Sequence, residues 1–283
     1  MHHVSRITFY ASRFTHHASR TTFYAALLIA LVDCAESPRV TPTPATITLA
    51  ASSTLSALLD NLADEYQAER PWITIHMESL DSEAALDLLG SGALDLAFVS
   101  WLPSDLDPGV WSSPLAYDAV AVIVNPANPV AGLNLAQVRD IFRGRALDWS
   151  LFGWSNENVT VVSREDGSGT RAAFEALVMD GSPVTPSAIV QPDGDAVVDY
   201  VARTPGAIGY VSRGRVTPAV KPIAIEGIEP EPSNAVNNSY PLGRLLYVVA
   251  RNEPTGAVRD FVAWLFSPEG QQAIAERDFG RVK

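Results

Sequence analysis

One stretch of the chain decides the fold: Ser163-Arg164-Glu165-Asp166-Gly167-Ser168-Gly169-Thr170-Arg171. It follows the β-branched run at 159–162 and precedes a helical pattern that places Phe174, Leu177 and Val178 on one face. The sequence therefore predicts a strand that enters a glycine-rich turn and then a helix. Such a turn exposes unpaired backbone N–H groups at the positive end of the helix dipole, and this predicts an anion site.

The side chains of the turn support this interpretation. Ser168 and Thr170 add hydroxyl donors, and Arg164 adds a positive charge whose forked geometry suits a tetrahedral oxyanion. We expect Asp166 to pair with Arg164 and to hold its orientation. The alternative is an ordinary Gly-Ser turn that caps a helix, but Arg164 and Thr170 at these offsets favour the anion site.

Other glycine-rich motifs do not fit. A Walker A loop needs Gly-Lys-Ser/Thr, and the two lysines, Lys221 and Lys283, follow no glycine-rich loop. A dinucleotide fingerprint lacks its third glycine here, and a hydrolase elbow requires Gly-x-Ser-x-Gly. Beyond residue 32 the sole histidine is His76, in an alternating strand pattern that points it outward. No cluster has the spacing of metal ligands, so the sequence predicts neither a metal, nor a cofactor, nor an enzyme.

The net charge excludes several partners. The formal charge of the 283 residues is −12, and it becomes −15 without residues 1–32, which hold three arginines and no acidic residue. Such a surface attracts neither nucleic acid nor an acidic membrane. An anion site must therefore rely on local, buried donors.

The first 45 residues are predicted to be a leader and a linker. A basic segment precedes the ten apolar residues 23–32, which are too few to span a bilayer and are typical of a secretory signal. Cys34 follows, before a Pro/Thr-rich linker, and resembles a bacterial lipoprotein attachment site, although Asp33 stands where that motif has a small residue. We expect an exported protein, periplasmic or lipid-anchored at the cell surface through Cys34. The alternative is a secreted protein that is cut nearby.

Strand and helix patterns alternate after the linker and predict an α/β fold. Strands near 47–51, 72–77 and 94–100 alternate with helices that begin near residue 55 and at Ser82. A second set of elements follows a strand at 117–124, and the segment 226–241 reads as irregular. Extended segments near 117–124 and 242–250 join the two sets. We therefore predict two lobes with a double crossover, residues 46–120 plus 242–283 and residues 121–241.

Three predicted helix starts follow strands: Ser52–Thr54, with these residues as cap candidates, Ser82, and Ser168–Thr170. Ligands of open α/β sheets lie beyond the carboxyl ends of the strands. The three helix starts are therefore expected to converge on one cleft between the lobes.

At this point the sequence resembles the phosphate-binding receptors of bacterial ABC importers, within the type II periplasmic binding proteins. The resemblance covers most of residues 46–283, and the turn at 164–171 is its most specific motif. The other similar segments, in the same order, are Ala51–Leu55, Leu94–Ser100, Leu135–Trp149, Thr204–Tyr210 and Ser267–Gln272.

The resemblance implies a two-lobe fold, capture of phosphate or a related oxyanion by closure of a hinge, and delivery to an ABC permease. It also implies no covalent chemistry and no cofactor. The residues that match ligand contacts of the family are Ser53, Thr54, Ser82, Arg164, Ser168, Gly169 and Thr170.

Trp101 is the main departure from the family, which usually has Asp or Arg after the serine at position 100. A carboxylate there can accept the proton that phosphate carries near neutral pH and sulfate lacks, whereas an indole only donates. Asp81 and Asp166 flank predicted ligand loops and could compensate. Because Asp166 is expected to pair with Arg164, we favour Asp81. Without compensation the site should discriminate weakly between phosphate and sulfate.

Three other functions stay open on the sequence. One is an oxyanion receptor that reports to a signalling partner, and another is a sulfate- or molybdate-type binding protein. An enzyme acting on phosphate esters is disfavoured, because it would need a metal cluster, a histidine or an activated nucleophile.

Overall fold

The computed structural model describes residues 43–154 and 157–282. Within these residues, twelve strands and eight helices alternate as an α/β protein. The strands are β1 Ala45–Ser52, β2 Ile73–Leu80, β3 Leu96–Val99, β4 Trp111–Val124, β5 Gly132–Leu133, β6 Thr160–Arg164, β7 Ile189–Gln191, β8 Ala207–Ser212, β9 Lys221–Pro222, β10 Ala224–Ile225, β11 Gly243–Ala250 and β12 Gly280–Arg281. The helices are α1 Ser56–Glu69, α2 Ser82–Ser91, α3 Leu135–Phe142, α4 Gly169–Phe174, α5 Gly194–Arg203, α6 Pro232–Val236, α7 Gly256–Leu265 and α8 Pro268–Ala275.

The main sheet has the order β2-β1-β3-β11-β4-β8-β6-β7. Strands β1, β2 and β3 pair in parallel, and β6 pairs in parallel with both β7 and β8. Strands β11 and β4 run antiparallel to their neighbours between these two groups. We call the part built on β1–β3 the first lobe and the part built on β6–β8 the second lobe.

Strand β4 passes from one lobe to the other. Its residues up to Ala119 pair with β11, and its residues from Val120 onward pair with β8. The return crossover lies beside it, because the Val120 N–H donates to the Leu242 carbonyl at 2.9 Å. Two adjacent segments therefore connect the lobes.

Each lobe has its own apolar core. In the first lobe, α1 buries Leu58, Leu62 and Tyr66 at helical spacing, and the Tyr66 ring lies 5.0 Å from that of Phe261 on α7. In the second lobe, Phe174 stacks on Tyr210 at 4.0 Å between ring centroids. Burial of apolar surface on both faces of the sheet explains the near-continuous apolar runs in β3 and β8.

The structure differs from the sequence predictions in several local elements. The segment predicted to be irregular contains the short helix α6, which begins with Pro232 at its first position, where a missing N–H costs nothing. The short strand β7 is exposed and weakly patterned, and no strand was predicted there.

No helix within 43–154 and 157–282 combines the length and the hydropathy that a membrane span requires. The predicted signal segment, Cys34 and most of the predicted leader and linker lie outside the described residues.

Candidate anion-binding site

Arg164 lies at the carboxyl end of β6, and its side chain is only 2% exposed. Strand β7 fixes its position: Arg164 is in register with Gln191, whose carbonyl accepts a hydrogen bond from Nε at 3.2 Å. The Pro192 carbonyl accepts another from Nη2 at 2.8 Å. The guanidinium therefore has a fixed orientation at the strand end, where parallel sheets place their ligands.

The charge of Arg164 is balanced by the first lobe. Its Nη2 lies 3.1 Å from Asp81 Oδ1, and its Nη1 donates to Ser53 Oγ at 3.5 Å. The prediction that Asp166 pairs with Arg164 is wrong. The strand ends at Arg164 and the chain turns through Gly167, at φ +82°, so that exposed Asp166 pairs with Arg171 instead, at 2.7 Å.

The turn after β6 begins α4 as predicted. Ser168 caps this helix, because its Oγ accepts from the Arg171 N–H at 3.4 Å. Gly169 and Thr170 are buried in the first turn. A π-helical turn, Glu175–Met179, continues the helix.

The predicted caps of α1 are wrong. Helix α1 begins at Ser56 after Leu55, with no side-chain cap, so the hydroxyls of Ser52, Ser53 and Thr54 are not used for capping. Thr54 instead reaches the second lobe, where its Oγ1 lies 3.0 Å from Thr170 Oγ1. Two of the predicted helix starts therefore meet across the cleft.

The third helix start meets them beside Gly169. Ser82 Oγ accepts from the Ser100 N–H at 3.2 Å and lies 3.3 Å from Ser100 Oγ. A Cβ placed on Gly169 would lie 2.5 Å from Ser100 Oγ and closer still to Ser82 Oγ. Only glycine fits where α4 approaches the first lobe.

The predicted ligand residues divide between two neighbouring cavities. Ser53, Thr54, Arg164 and Thr170 line a small cavity between the lobes, together with Tyr210, Ser212 and Arg215. Ser82, Ser168 and Gly169 line a wider groove of about 1030 Å³. Trp101 lines this groove and not the small cavity.

Arg215 belongs to the small cavity and was not predicted. It donates to the Ser53 carbonyl and to Ser56 Oγ, the latter at 3.2 Å, and pairs with Asp195 at 2.9 Å. The sequence carries a signal for it, since Arg215 follows β8 within three residues and strand ends favour ligand contacts.

Arg244 and Asp118 were also missed. Both side chains are buried, and Arg244 Nη2 lies 2.7 Å from Asp118 Oδ2. Arg244 Nη2 also donates to Thr170 Oγ1 at 3.2 Å, so the pair lies directly behind a predicted ligand residue. The signal in the sequence is an ionisable residue within, or at the start of, an otherwise apolar strand, where an unpaired charge would be costly.

The electrostatics of the cavity follow from these pairs. Arg164, Arg215 and Arg244 each contact a carboxylate, so the positive field is local. Burial raises the pKa of Tyr210 to about 12, which keeps this phenol neutral beside Ser163 Oγ at 2.7 Å. Burial and a hydrogen bond with Glu165 raise the pKa of Asp81 to about 6, against the opposing effect of Arg164.

His76 is exposed on β2, as the alternating pattern predicts. It lines neither the small cavity nor the groove. The cavity therefore offers an anion hydroxyl and guanidinium groups, which donate hydrogen bonds at neutral pH.

The chain is similar to known proteins over most of its length. Residues 36–269 match the model of the PBP superfamily domain. The chain is 30% identical over 256 residues to the phosphate-binding protein PstS of Pseudomonas aeruginosa, covering 80% of this chain and 79% of that protein. It is 28% identical over 234 residues to PstS of Bacillus subtilis, with 81% and 77% covered.

A solved structure shows the same fold. It is a putative phosphate ABC transporter substrate-binding protein with bound phosphate from Clostridium perfringens, and it has a TM-score of 0.79 and 28% identity. The superposition covers 84% of this chain and 100% of that one. The predicted fold class, a two-lobe type II binding protein, is confirmed. The chain therefore belongs to the PBP superfamily, within its family of phosphate-binding proteins.

Proposed function

We propose that this protein is an extracytoplasmic receptor that captures phosphate between its lobes for an ABC transporter. One observation carries the proposal: buried Arg164 lines a small cavity into which both lobes present hydroxyl groups. The relatives described above bear the name phosphate-binding protein, which supports phosphate as the anion. The permease is the partner that such a receptor would serve.

In this proposal the anion exchanges its hydration shell for fixed donors. Arg164 supplies the charge, and Ser53, Thr54 and Thr170 supply hydroxyl groups from both lobes. Charge-assisted hydrogen bonds of this kind are about twice as strong as neutral ones. Because the donors come from two lobes, ligand binding favours closure. We retain 46–120 plus 242–283 and 121–241 as the proposed extents of the moving lobes.

We propose binding and release without covalent chemistry, since the curated relatives are named as binding proteins. Ser82, Ser168 and Gly169 face the groove and are proposed to shape the mouth of the site. A phosphate-bound structure tests whether they also contact the anion directly.

Asp81 is the group that we propose for selectivity. Trp101 cannot accept a proton from phosphate and lies in the groove, whereas Asp81 contacts the same guanidinium that would hold the anion. An ionised carboxylate accepts the phosphate proton but repels fully ionised sulfate. Calorimetry of the ligand-stripped protein with phosphate, sulfate and molybdate tests both function and selectivity.

We expect phosphate to bind at least about tenfold more tightly than sulfate, because one unpaired buried donor or acceptor costs roughly 1–3 kcal/mol. Asp81→Asn should reduce this preference. Preferential binding of sulfate or molybdate would instead favour the other oxyanion class. Absence of binding for all three anions would contradict the proposal.

A pH dependence follows from the raised pKa of Asp81. Its carboxyl has a pKa of about 6 in this structure, beside Arg164 and Glu165, against an ordinary value of 3.8. Asp81 is therefore mostly protonated below pH 6 and mostly ionised above it. The proposed selectivity requires the ionised carboxylate, so the preference for phosphate over sulfate should weaken as the pH falls through 6.

Competition calorimetry with phosphate and sulfate at about pH 5 and about pH 8 measures this preference. We expect the preference of the wild-type protein to be smaller at the lower pH, and that of Asp81→Asn to change less. The contribution of phosphate itself is common to both proteins. An equal change in the two proteins would show that Asp81 does not set the preference.

We also propose export, with lipid attachment at Cys34. The support is the basic and apolar segment before this residue and the Pro/Thr-rich linker after it. Mass spectrometry of the product from membranes of the native host tests this. A chain that retains Met1 would contradict export, and an unmodified Cys34 in a processed chain would contradict lipid attachment alone.

A further inference from the structure

A buried ion pair lies on the two strands that connect the lobes. Asp118 on β4 and Arg244 on β11 are cross-strand neighbours in register. Arg244 Nε donates to Asp118 Oδ2 at 2.9 Å, and the two side chains are 2% and 0% exposed for Arg244 and Asp118. Asp118 Oδ1 also accepts from Ser212 Oγ at 2.8 Å, so the carboxylate is itself held in place.

The remaining donors of Arg244 reach both lobes. Nη1 donates to the Ser100 carbonyl in the first lobe at 3.3 Å and to the Gly169 carbonyl in the second lobe at 3.4 Å. Nη2 donates to Thr170 Oγ1 at 3.2 Å. One guanidinium therefore contacts the first turn of α4 and the end of the strand that precedes Trp101.

The contact with Thr170 has a direction. A guanidinium has five N–H donors and no acceptor, so Thr170 Oγ1 must accept from Arg244. Its single proton is then free to be donated away from Arg244, toward Thr54 Oγ1 at 3.0 Å or into the cavity. Without Arg244, this proton would also be free to point toward the side where the guanidinium now lies. Arg244 therefore holds the Thr170 hydroxyl with its proton on the side of Thr54 and the cavity.

We infer that Arg244 is a positioning residue for anion binding, because it orients the Thr170 hydroxyl as a donor and connects both lobes behind the cavity. The inference rests on the proposed phosphate function. Arg244 does not line the small cavity, whereas Thr170 does, so Arg244 acts through Thr170 and not by direct contact with the anion. The sequence gives this residue no part in any recognised ligand motif.

A double-mutant cycle on the full chain tests the inference. Arg244→Lys keeps a cation for Asp118 but lacks the forked geometry that reaches Thr170 at the same time. Thr170→Val removes the hydroxyl at nearly constant shape. We expect each single variant to weaken phosphate binding about tenfold, and the double variant to be no weaker than Thr170→Val, because contacting residues are not additive.

The matched control is Arg259→Lys, which changes an exposed arginine paired with Asp260 and should leave phosphate affinity unchanged. If the losses of affinity in the two single variants multiply in the double variant, the inference is overturned while the phosphate function stays intact. If Arg244→Lys does not fold, a variant with both Arg244→Gln and Asp118→Asn takes its place in the cycle. This variant removes both charges of the buried pair together. Failure of the unmodified chain to bind phosphate would overturn the proposed function, and this inference with it.

Discussion

Replacement of Arg164 by alanine is expected to weaken phosphate binding by between about thirtyfold and several thousandfold. Loss of one partner of a buried charge pair costs about 2–5 kcal/mol, and each 1.4 kcal/mol is a factor of ten in affinity. The variant loses the guanidinium that lines the cavity and leaves Asp81 without its cation. An unbalanced carboxylate beside the anion then adds repulsion to the lost attraction.

Calorimetry with phosphate measures this loss. Arg145→Ala is the matched control, since Arg145 lies in the same lobe with its side chain 68% exposed. The double variant Arg164→Ala, Asp81→Asn separates the two causes, because it removes the carboxylate as well. We expect it to recover part of the affinity. Wild-type affinity in Arg164→Ala would show that this arginine does not bind the anion.

Gly169→Ala is expected to weaken phosphate binding about ten- to a hundredfold. The added methyl group would overlap Ser82 Oγ and Ser100 Oγ, both of which belong to the first lobe. Overpacking of this kind costs about 1–3 kcal/mol. Because the clash lies between the lobes, separation of the lobes relieves it. The unfolding midpoint without phosphate should therefore change little while affinity falls.

Gly90→Ala is the matched control, because an added Cβ there meets nothing within 4 Å. This glycine lies inside α2, where alanine is favoured by about 0.5–1 kcal/mol. The control should be slightly more stable and should bind phosphate as the wild type does. If Gly169→Ala binds phosphate normally, the contact between α4 and the first lobe is not needed in the bound form.

Local patterns predicted much of the fold and part of the site. The turn at 163–171 combines a strand, glycines and a helix start within nine residues, so its structure and the placement of Arg164 follow from short-range rules. The convergence of the three helix starts follows from a general property of parallel strands. Thr54 and Thr170 do meet, at 3.0 Å, although they are 116 residues apart.

The contacts that the sequence did not predict depend on long-range geometry. Arg164 finds Asp81 at a separation of 83 residues, and nothing near Asp81 in the sequence indicates that contact. Asp166 was the nearer candidate, but a left-handed glycine turned it to the surface. Arg244 and Asp118 become neighbours only through the register of β4 and β11, which no local pattern specifies.

A crystal structure of the protein with bound phosphate tests the central claim most directly. We predict phosphate in the cavity between the lobes, with its oxygens within hydrogen-bonding distance of the Arg164 guanidinium and of the Thr54 and Thr170 hydroxyls. Arg244 should contact Thr170 but not the phosphate. Phosphate bound only in the groove beside Trp101, with no contact to Arg164, would contradict the account.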